Sequence, residues 1–122
     1  MAYSVLVVDQ HPLVLAHWTA PLRDAGYDVA AATSFAEARQ RLAICPPNLL
    51  IASSRLGGFH GLHLVVCGRL RRAPMSAIVT TPTKDSVLEA DATVFGAACV
   101  VAPDNRAEIL AMVTRAFSSR PM

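Results

Sequence analysis

The sequence has little charge, few aromatic side chains and no long uninterrupted apolar run. Of its 122 residues, 16% are charged and 6% are aromatic. No apolar stretch approaches the roughly 20 residues that a membrane-spanning helix needs, and the amino terminus lacks the basic-then-apolar order of a signal peptide. We therefore expect no membrane association and a cytoplasmic location.

Cysteine and net charge are also low. The three cysteines are odd in number and widely spaced, which favours free thiols in a reducing compartment. The net charge is +2, and the nearest approach to a basic cluster is formed by Arg69, Arg71 and Arg72. Because nucleic-acid binding usually needs clustered Lys and Arg, we expect no direct contact with nucleic acid.

Apolar residues are plentiful and are arranged as five strand-like runs, each followed by a helical pattern. They make up 53% of the chain, enough for a substantial core, so we expect residues 1–122 to form one domain. Five β-then-α units predict an α/β fold, with a five-stranded parallel sheet and helices on both faces. The predicted strands are Tyr3–Val8, Tyr27–Ala32, Leu49–Ala52, Ser76–Thr81 and Ala97–Val101, and the predicted helices are Leu13–Ala25, 34–45, Gly61–Arg72, Lys84–Val94 and 105–117.

Helical spacing also predicts where some side chains lie. His17 is expected to be a partly buried histidine on the apolar side of the first helix. Pro21 lies inside the same helix and is expected to kink or shorten it. The third helix is expected to turn Leu62, Val65, Val66 and Leu70 inward.

Polar or small residues stand where four of the strands end. Asp9 and Gln10 follow the first strand, Ser53 follows the third, Thr81 ends the fourth and Ala102 follows the fifth. These ends meet at the carboxyl edge of a parallel sheet, where open α/β proteins place their binding sites. The edge offers hydroxyls where a reactive or metal-binding site would use carboxylates.

From Val5 to about Phe117 the chain resembles a response-regulator receiver domain, which has the flavodoxin-like doubly wound fold. In that family the first strand ends in two acidic residues and the third in an aspartate that accepts a phosphoryl group from a histidine kinase. A lysine and a proline follow the fifth strand. The matching positions are Asp9, Arg55, Leu56, Gly58, Gly61, Leu62, Thr81 and Pro103.

The departures from the family pattern lie at the positions that would carry the chemistry. Gln10 stands at the second acidic position, Ser53 at the phosphoacceptor, Ala102 at the lysine and Cys99 at the aromatic switch position. Formal charge at the site falls from about −3 to −1 by this count, which removes much of the attraction for Mg²⁺. We interpret the chain as a pseudo-receiver without enzymatic activity, metal or cofactor. Its Ser53 hydroxyl is expected to bond to the neighbouring loop.

The resemblance implies a role in two-component-type phosphorelay signalling. We expect a phosphorylation-independent interaction module that binds a signalling protein or its own output domain, with a homodimer as a further arrangement. The expected interaction face, on the fourth helix and fifth strand, comprises Val87, Leu88, Val94 and Cys99.

Two alternatives stay open: a small-ligand or metal-sensing domain that reuses the vacated pocket, and the regulatory part of a longer transcription factor. His11, His60 and His63 could lie near the carboxyl edge, but they lack the spacing of a zinc site. We therefore predict no metal site.

Overall fold

The computed structural model describes residues 3–70 and 75–118, which form one parallel sheet flanked by helices. The strands lie in the order β2-β1-β3-β4-β5, as the predicted five-stranded flavodoxin-like fold requires, and that prediction is confirmed. The elements are β1 Ser4–Val8, α1 Pro12–Asp24, β2 Asp28–Ala32, α2 Phe35–Ile44, β3 Leu49–Ser53, α3 Gly61–Leu70, β4 Ser76–Thr81, α4 Ser86–Val94, β5 Ala98–Val101 and α5 Arg106–Ser118.

Two apolar cores lie on opposite faces of this sheet. Successive side chains of a strand point to opposite faces, so neighbouring residues of β3 enter different cores. Leu50 packs with residues of α2, α3 and α4, whereas Leu49 and Ile51 pack with residues of α1 and α5. This burial on both faces explains why the strands are continuously apolar.

Side-chain caps define where two of the helices begin. The Ser34 hydroxyl accepts a hydrogen bond from the N–H of Glu37 at 3.1 Å, which confirms the predicted start of α2. The Asp85 carboxylate accepts a bond from the N–H of Leu88 at 3.0 Å, so α4 begins at Ser86, two residues later than predicted.

Pro21 does not shorten α1, which continues to Asp24, and Pro21 itself is buried. The prediction for His17 is wrong. His17 is exposed, and its Nε2 lies 3.3 Å from the carbonyl oxygen of Pro103. The buried face of α1 instead includes Trp18 and Leu22. His17 directly precedes Trp18 in the sequence and therefore lies on a neighbouring face of the helix.

The inward face of α3 also differs from the prediction. Leu64 and Val65 are buried, whereas Leu70 is 78% exposed. Leu62 and Val66 are half-buried. The predicted extension of this helix through Arg71 and Arg72 lies outside the described residues. Across residues 3–70 and 75–118, every helix is too short or too polar to span a bilayer.

Candidate functional site

A cavity of about 360 Å³ opens at the carboxyl edge of the sheet. The ends of β1, β3 and β4, the start of α1 and the segment after β5 surround it. All five strand-end positions singled out in the sequence line this cavity: Asp9, Gln10, Ser53, Thr81 and Ala102. The parallel topology brings them together although they are distant in sequence.

Asp9 supplies the carboxylate of this cavity and is 8% exposed. Its Oδ1 accepts a hydrogen bond from the N–H of His11 at 2.9 Å, and its own N–H donates to the carbonyl of Ala32 at 3.2 Å. The side chain is thus anchored on one oxygen by the turn that leads into α1. None of the other residues that line the cavity is acidic.

The neighbouring polar side chains are bonded to nearby loops. The Oε1 of Gln10 accepts the N–H of Gly57 at 2.9 Å, which ties the start of α1 to the loop after β3. The Oγ of Ser53 accepts the N–H of Arg55 at 3.2 Å, so the predicted bond between this hydroxyl and the neighbouring loop is present. Both acceptor oxygens are therefore used within the fold.

Thr81 is likewise engaged by its own loop. Its Oγ1 donates to the carbonyl of Thr83 and accepts the N–H of Thr83 at 3.2 Å. The N–H of Ala102 donates to the carbonyl of Thr81 at 3.0 Å, which places the small Ala102 side chain at the cavity wall. The Thr81 hydroxyl therefore forms its hydrogen bonds within its own turn.

These donors do not fit a bound magnesium ion. Mg²⁺ in proteins takes carboxylate oxygens in octahedral geometry, together with several waters. The cavity offers the single carboxylate of Asp9, and the Gln10 and Ser53 oxygens already accept backbone hydrogen bonds. Within the described ranges, no three His, Cys, Asp or Glu side chains lie close enough together to hold a metal ion.

A second cavity of about 230 Å³ adjoins the first and is lined by His60 and Asp85. The Nδ1 of His60 accepts the N–H of Leu62 at 3.0 Å. Burial lowers the pKa of His60 and the charge of His63 lowers it further, whereas Asp85 and Asp91 act in the opposite direction. The neutral imidazole therefore serves as an acceptor at the first turn of α3.

Trp18 and Thr80 also line the first cavity, although the sequence analysis did not single them out, and Arg55, one of the positions that match the family, lines it as well. A signal for Trp18 was present, because it follows Val14 by four residues on α1 and so shares its helix face. Nothing in the sequence pattern distinguishes Thr80 from its neighbour Thr81 as a cavity residue.

The proposed interaction face is only partly exposed. Val87 and Val94 are 71% and 77% exposed, as a binding surface requires. Leu88 was predicted to lie on the same face. That prediction is wrong, because the side chain is 6% exposed and packs in the core under α4. Cys99 is half-buried, and burial together with two nearby carboxylates raises the pKa of its thiol.

Comparison with known proteins identifies the family. A model of the response regulator receiver domain matches residues 5–114. The chain belongs to this family. It is therefore a receiver domain of the type used in two-component signalling.

Solved receiver domains share this fold at low sequence identity. A CheY-like receiver domain from Methanospirillum hungatei superposes with a TM-score of 0.88 at 20% identity, covering 98% of this chain and 97% of that one. The chemotaxis regulator CheY4 of Vibrio cholerae gives 0.87 at 21% identity, with 95% and 99% covered. The receiver domain of NarL from Mycobacterium tuberculosis gives 0.86 at 21% identity, with 98% of each chain covered. A search among curated proteins finds no match.

Proposed function

We propose that this receiver domain works as a protein-interaction module without aspartyl phosphorylation. Residues 1–122 act as one unit in the cytoplasm and catalyse no reaction. The state of the module is set by a signalling partner, by its own output domain or by self-association. The observation that carries the proposal is the Ser53 hydroxyl at the end of β3, held by the N–H of Arg55 at 3.2 Å.

The chemistry of the cavity supports this proposal. Ser53 is an alcohol, which becomes a nucleophile only with a general base beside it. The Asp9 carboxylate already accepts the N–H of His11 on Oδ1, and no histidine of the described residues is bonded to Ser53. A phosphoserine would also lack the reactivity of an acyl phosphate.

Electrostatics argue in the same direction. One carboxylate remains where a magnesium-dependent receiver would use three, so the attraction for a divalent cation is weak. Ala102 carries no charge and lines the same cavity. A lysine here would be an ammonium group facing Asp9 alone, and desolvating such a charge is costly.

A phosphoryl mimic tests the proposal directly. Trp18 is the single tryptophan of the sequence and lines the cavity, so its fluorescence reports on occupancy. We expect no saturable change when beryllofluoride and Mg²⁺ are added. A saturable change that Asp9→Ala abolishes would show that the site still accepts a phosphoryl-like group.

A restored variant supplies the matched positive control. The triple variant Gln10→Asp, Ser53→Asp, Ala102→Lys returns the three charges that the family resemblance implies. We expect this variant to show a Mg²⁺-dependent fluorescence response under the conditions in which the natural sequence shows none. Mass spectrometry after acetyl phosphate treatment should then find an added phosphoryl group on the variant alone.

The exposed apolar surface supports the interaction role. Val87 and Val94 lie on α4, and Val101 at the end of β5 is 48% exposed. We propose that this surface contacts the partner, with Leu88 holding α4 on the core beneath it. The half-buried Cys99 would then affect the face only through the packing of β5 under α4.

A further inference from the structure

Three nearly buried polar side chains line the first cavity without full hydrogen bonding. Asp9, Thr80 and Trp18 are 8%, 6% and 2% exposed, respectively. Among the described residues, none bonds to the Thr80 hydroxyl or the Trp18 indole N–H, and Asp9 is bonded through Oδ1 alone. Natural folds leave few buried polar groups without partners.

These groups are open to the cavity and not sealed inside the protein. Across residues 3–70 and 75–118, every unbonded side-chain nitrogen or oxygen remains accessible from outside. Thr80 and Trp18 are almost fully buried and line the cavity, and neither of their unbonded polar atoms is sealed from solvent. The residues that line the cavity thus include a carboxylate, a hydroxyl and an N–H donor that lack a full set of hydrogen-bond partners.

Arg55 adds a positive charge to the polar residues that line the first cavity. Arg55 lines the same cavity, and its side chain forms no ion pair within the described part of the chain, where the one salt bridge joins Arg106 to Asp24. Asp9 and the exposed Arg55 thus line one cavity without forming an ion pair with each other. Val14 and Trp18 add apolar side chains to the lining of the same cavity.

We propose that the cavity binds a small zwitterion of amino-acid size. The ligand ammonium group would contact Asp9, its carboxylate would contact Arg55, and its side chain would pack against Val14 and Trp18. The volume of about 360 Å³ matches such a ligand, since it lies at the small end of the range for ligand pockets.

Other ligand classes fit less well. A free anion such as phosphate would be repelled by the buried Asp9 carboxylate, and a divalent cation would find one carboxylate in a cavity that is also lined by an arginine. A simple amine would leave Arg55 without a partner. The inference rests on the proposed function in one respect, because uptake of Mg²⁺ and a phosphoryl group would fill the same space.

The test is a titration of the full chain with the standard amino acids, one at a time, without Mg²⁺. Trp18 fluorescence and the thermal unfolding midpoint are measured together, because a ligand that binds the native state raises its stability. We expect a saturable response to one amino acid or a few related ones. The amine and the carboxylic acid that correspond to the best ligand should each bind about tenfold more weakly or worse, since each loses one charge-assisted contact.

Matched variants connect the response to the cavity. Asp9→Asn and Arg55→Gln should each weaken binding by about tenfold or more. Asp28→Asn and Arg39→Gln are exposed changes outside this cavity and should leave binding unchanged. The inference fails if no amino acid gives a response, if either cavity variant binds normally, or if the amine binds as tightly as its parent amino acid.

The same titration with beryllofluoride and Mg²⁺ separates the two proposals. A response to the fluoride complex overturns the phosphorylation-independent function. If neither the amino acids nor the fluoride complex changes the fluorescence or the unfolding midpoint, the zwitterion inference alone is overturned.

Discussion

At the scale of single residues, Gly61 sets the distance between β3 and α3. A Cβ built on Gly61 would overlap the carbonyl oxygen of Ser53 and lie 3.2 Å from the Cβ of Ala52. Because the overlapped atom belongs to the backbone, β3 and α3 would have to separate. We expect Gly61→Ala to lower the free energy of unfolding by at least about 2 kcal/mol, measured by urea denaturation.

Gly58 provides the control for this prediction. A Cβ at Gly58 meets no atom within 4 Å, and its backbone does not adopt a left-handed conformation. Gly58→Ala should therefore be neutral or stabilise the fold by about 0.5 kcal/mol, through the lower entropy of the unfolded chain. Equal effects of the two substitutions would contradict the packing argument.

His60 gives the fold a pH dependence whose sign is fixed by the lowered pKa. A histidine whose pKa is lower in the folded protein than its unfolded value of about 6.5 favours the neutral form in the fold. The contribution of His60 to the free energy of unfolding is fully present above the pKa of the unfolded state. It is lost as the pH falls through the pKa of the folded state. Protonated Nδ1 can no longer accept the N–H of Leu62.

His60→Asn keeps a side-chain acceptor but does not titrate in this range. We expect the natural protein to lose more stability than His60→Asn when urea denaturation is compared at pH 7.5 and pH 5. His63→Gln, which removes the neighbouring charge that disfavours protonation, should reduce the loss of the natural protein. Parallel losses in the natural protein and His60→Asn would rule out the capping role.

The sequence predicted the five strand-end residues of the site and the local hydrogen bond of Ser53, but not the other hydrogen bonds. Parallel topology is enough to bring Asp9 and Ser53 to one edge, so residue spacing alone carries that information. The bond from Gly57 to Gln10 depends on the path of the loop after β3, which spacing does not determine. The unbonded state of Thr80 and Trp18 follows from cavity shape and has no sequence signal.

At the scale of elements, Arg69 joins α3 to β4 and to the turn between α4 and β5. Its guanidinium donates to the carbonyl of Met75, to that of Phe95 at 3.0 Å and to that of Gly96 at 3.1 Å. The carbonyl of Phe95 belongs to the C-cap of α4, where helix carbonyls lack partners, and that of Gly96 belongs to the turn that follows. A single planar group thus stabilises three chain segments.

We expect Arg69→Lys to lower the free energy of unfolding by about 1.5–3 kcal/mol, because a single ammonium cannot reach all three carbonyls. Arg39→Lys, an exposed substitution on α2, should change the stability by less than about 0.5 kcal/mol. Urea denaturation of the two variants makes the comparison. An Arg69→Lys variant as stable as Arg39→Lys would show that the three bonds add nothing.

The helices and strands were predicted well where a run of apolar residues ends abruptly at polar residues or proline. The predicted β4 agrees with Ser76–Thr81, since apolar residues end at hydroxyls and a proline. The orientation of α3 was wrong because Leu62, Leu64 and Val66 offer several apolar stripes and few polar residues mark a solvent face. The burial of Leu88 was missed for a similar reason, as Val87 is equally apolar and one position away.

At the scale of the whole molecule, the apolar cores and the strand-end residues of the first cavity are separate parts of the fold. The two cores on either side of the sheet contain none of the five strand-end residues. Substitutions at that edge can therefore alter binding chemistry without disturbing the apolar packing. This separation explains how the receiver fold persists with hydroxyl and methyl side chains where the family resemblance implies carboxylates and an ammonium group.

The apolar surface of α4 should decide whether the receiver domain associates. Burying exposed valines contributes about 25 cal/mol per Å² of apolar area, so a partner or a second copy would gain from covering them. We expect the double variant Val87→Asp, Val94→Asp to remain folded and to sediment as a monomer over the concentration range in which the proposed self-association of the natural protein is measured. Leu13→Asp, at an 86% exposed position on α1, should behave as the natural protein does. If the two variants weaken association equally, the contact surface includes α1, and the assignment to α4 is wrong.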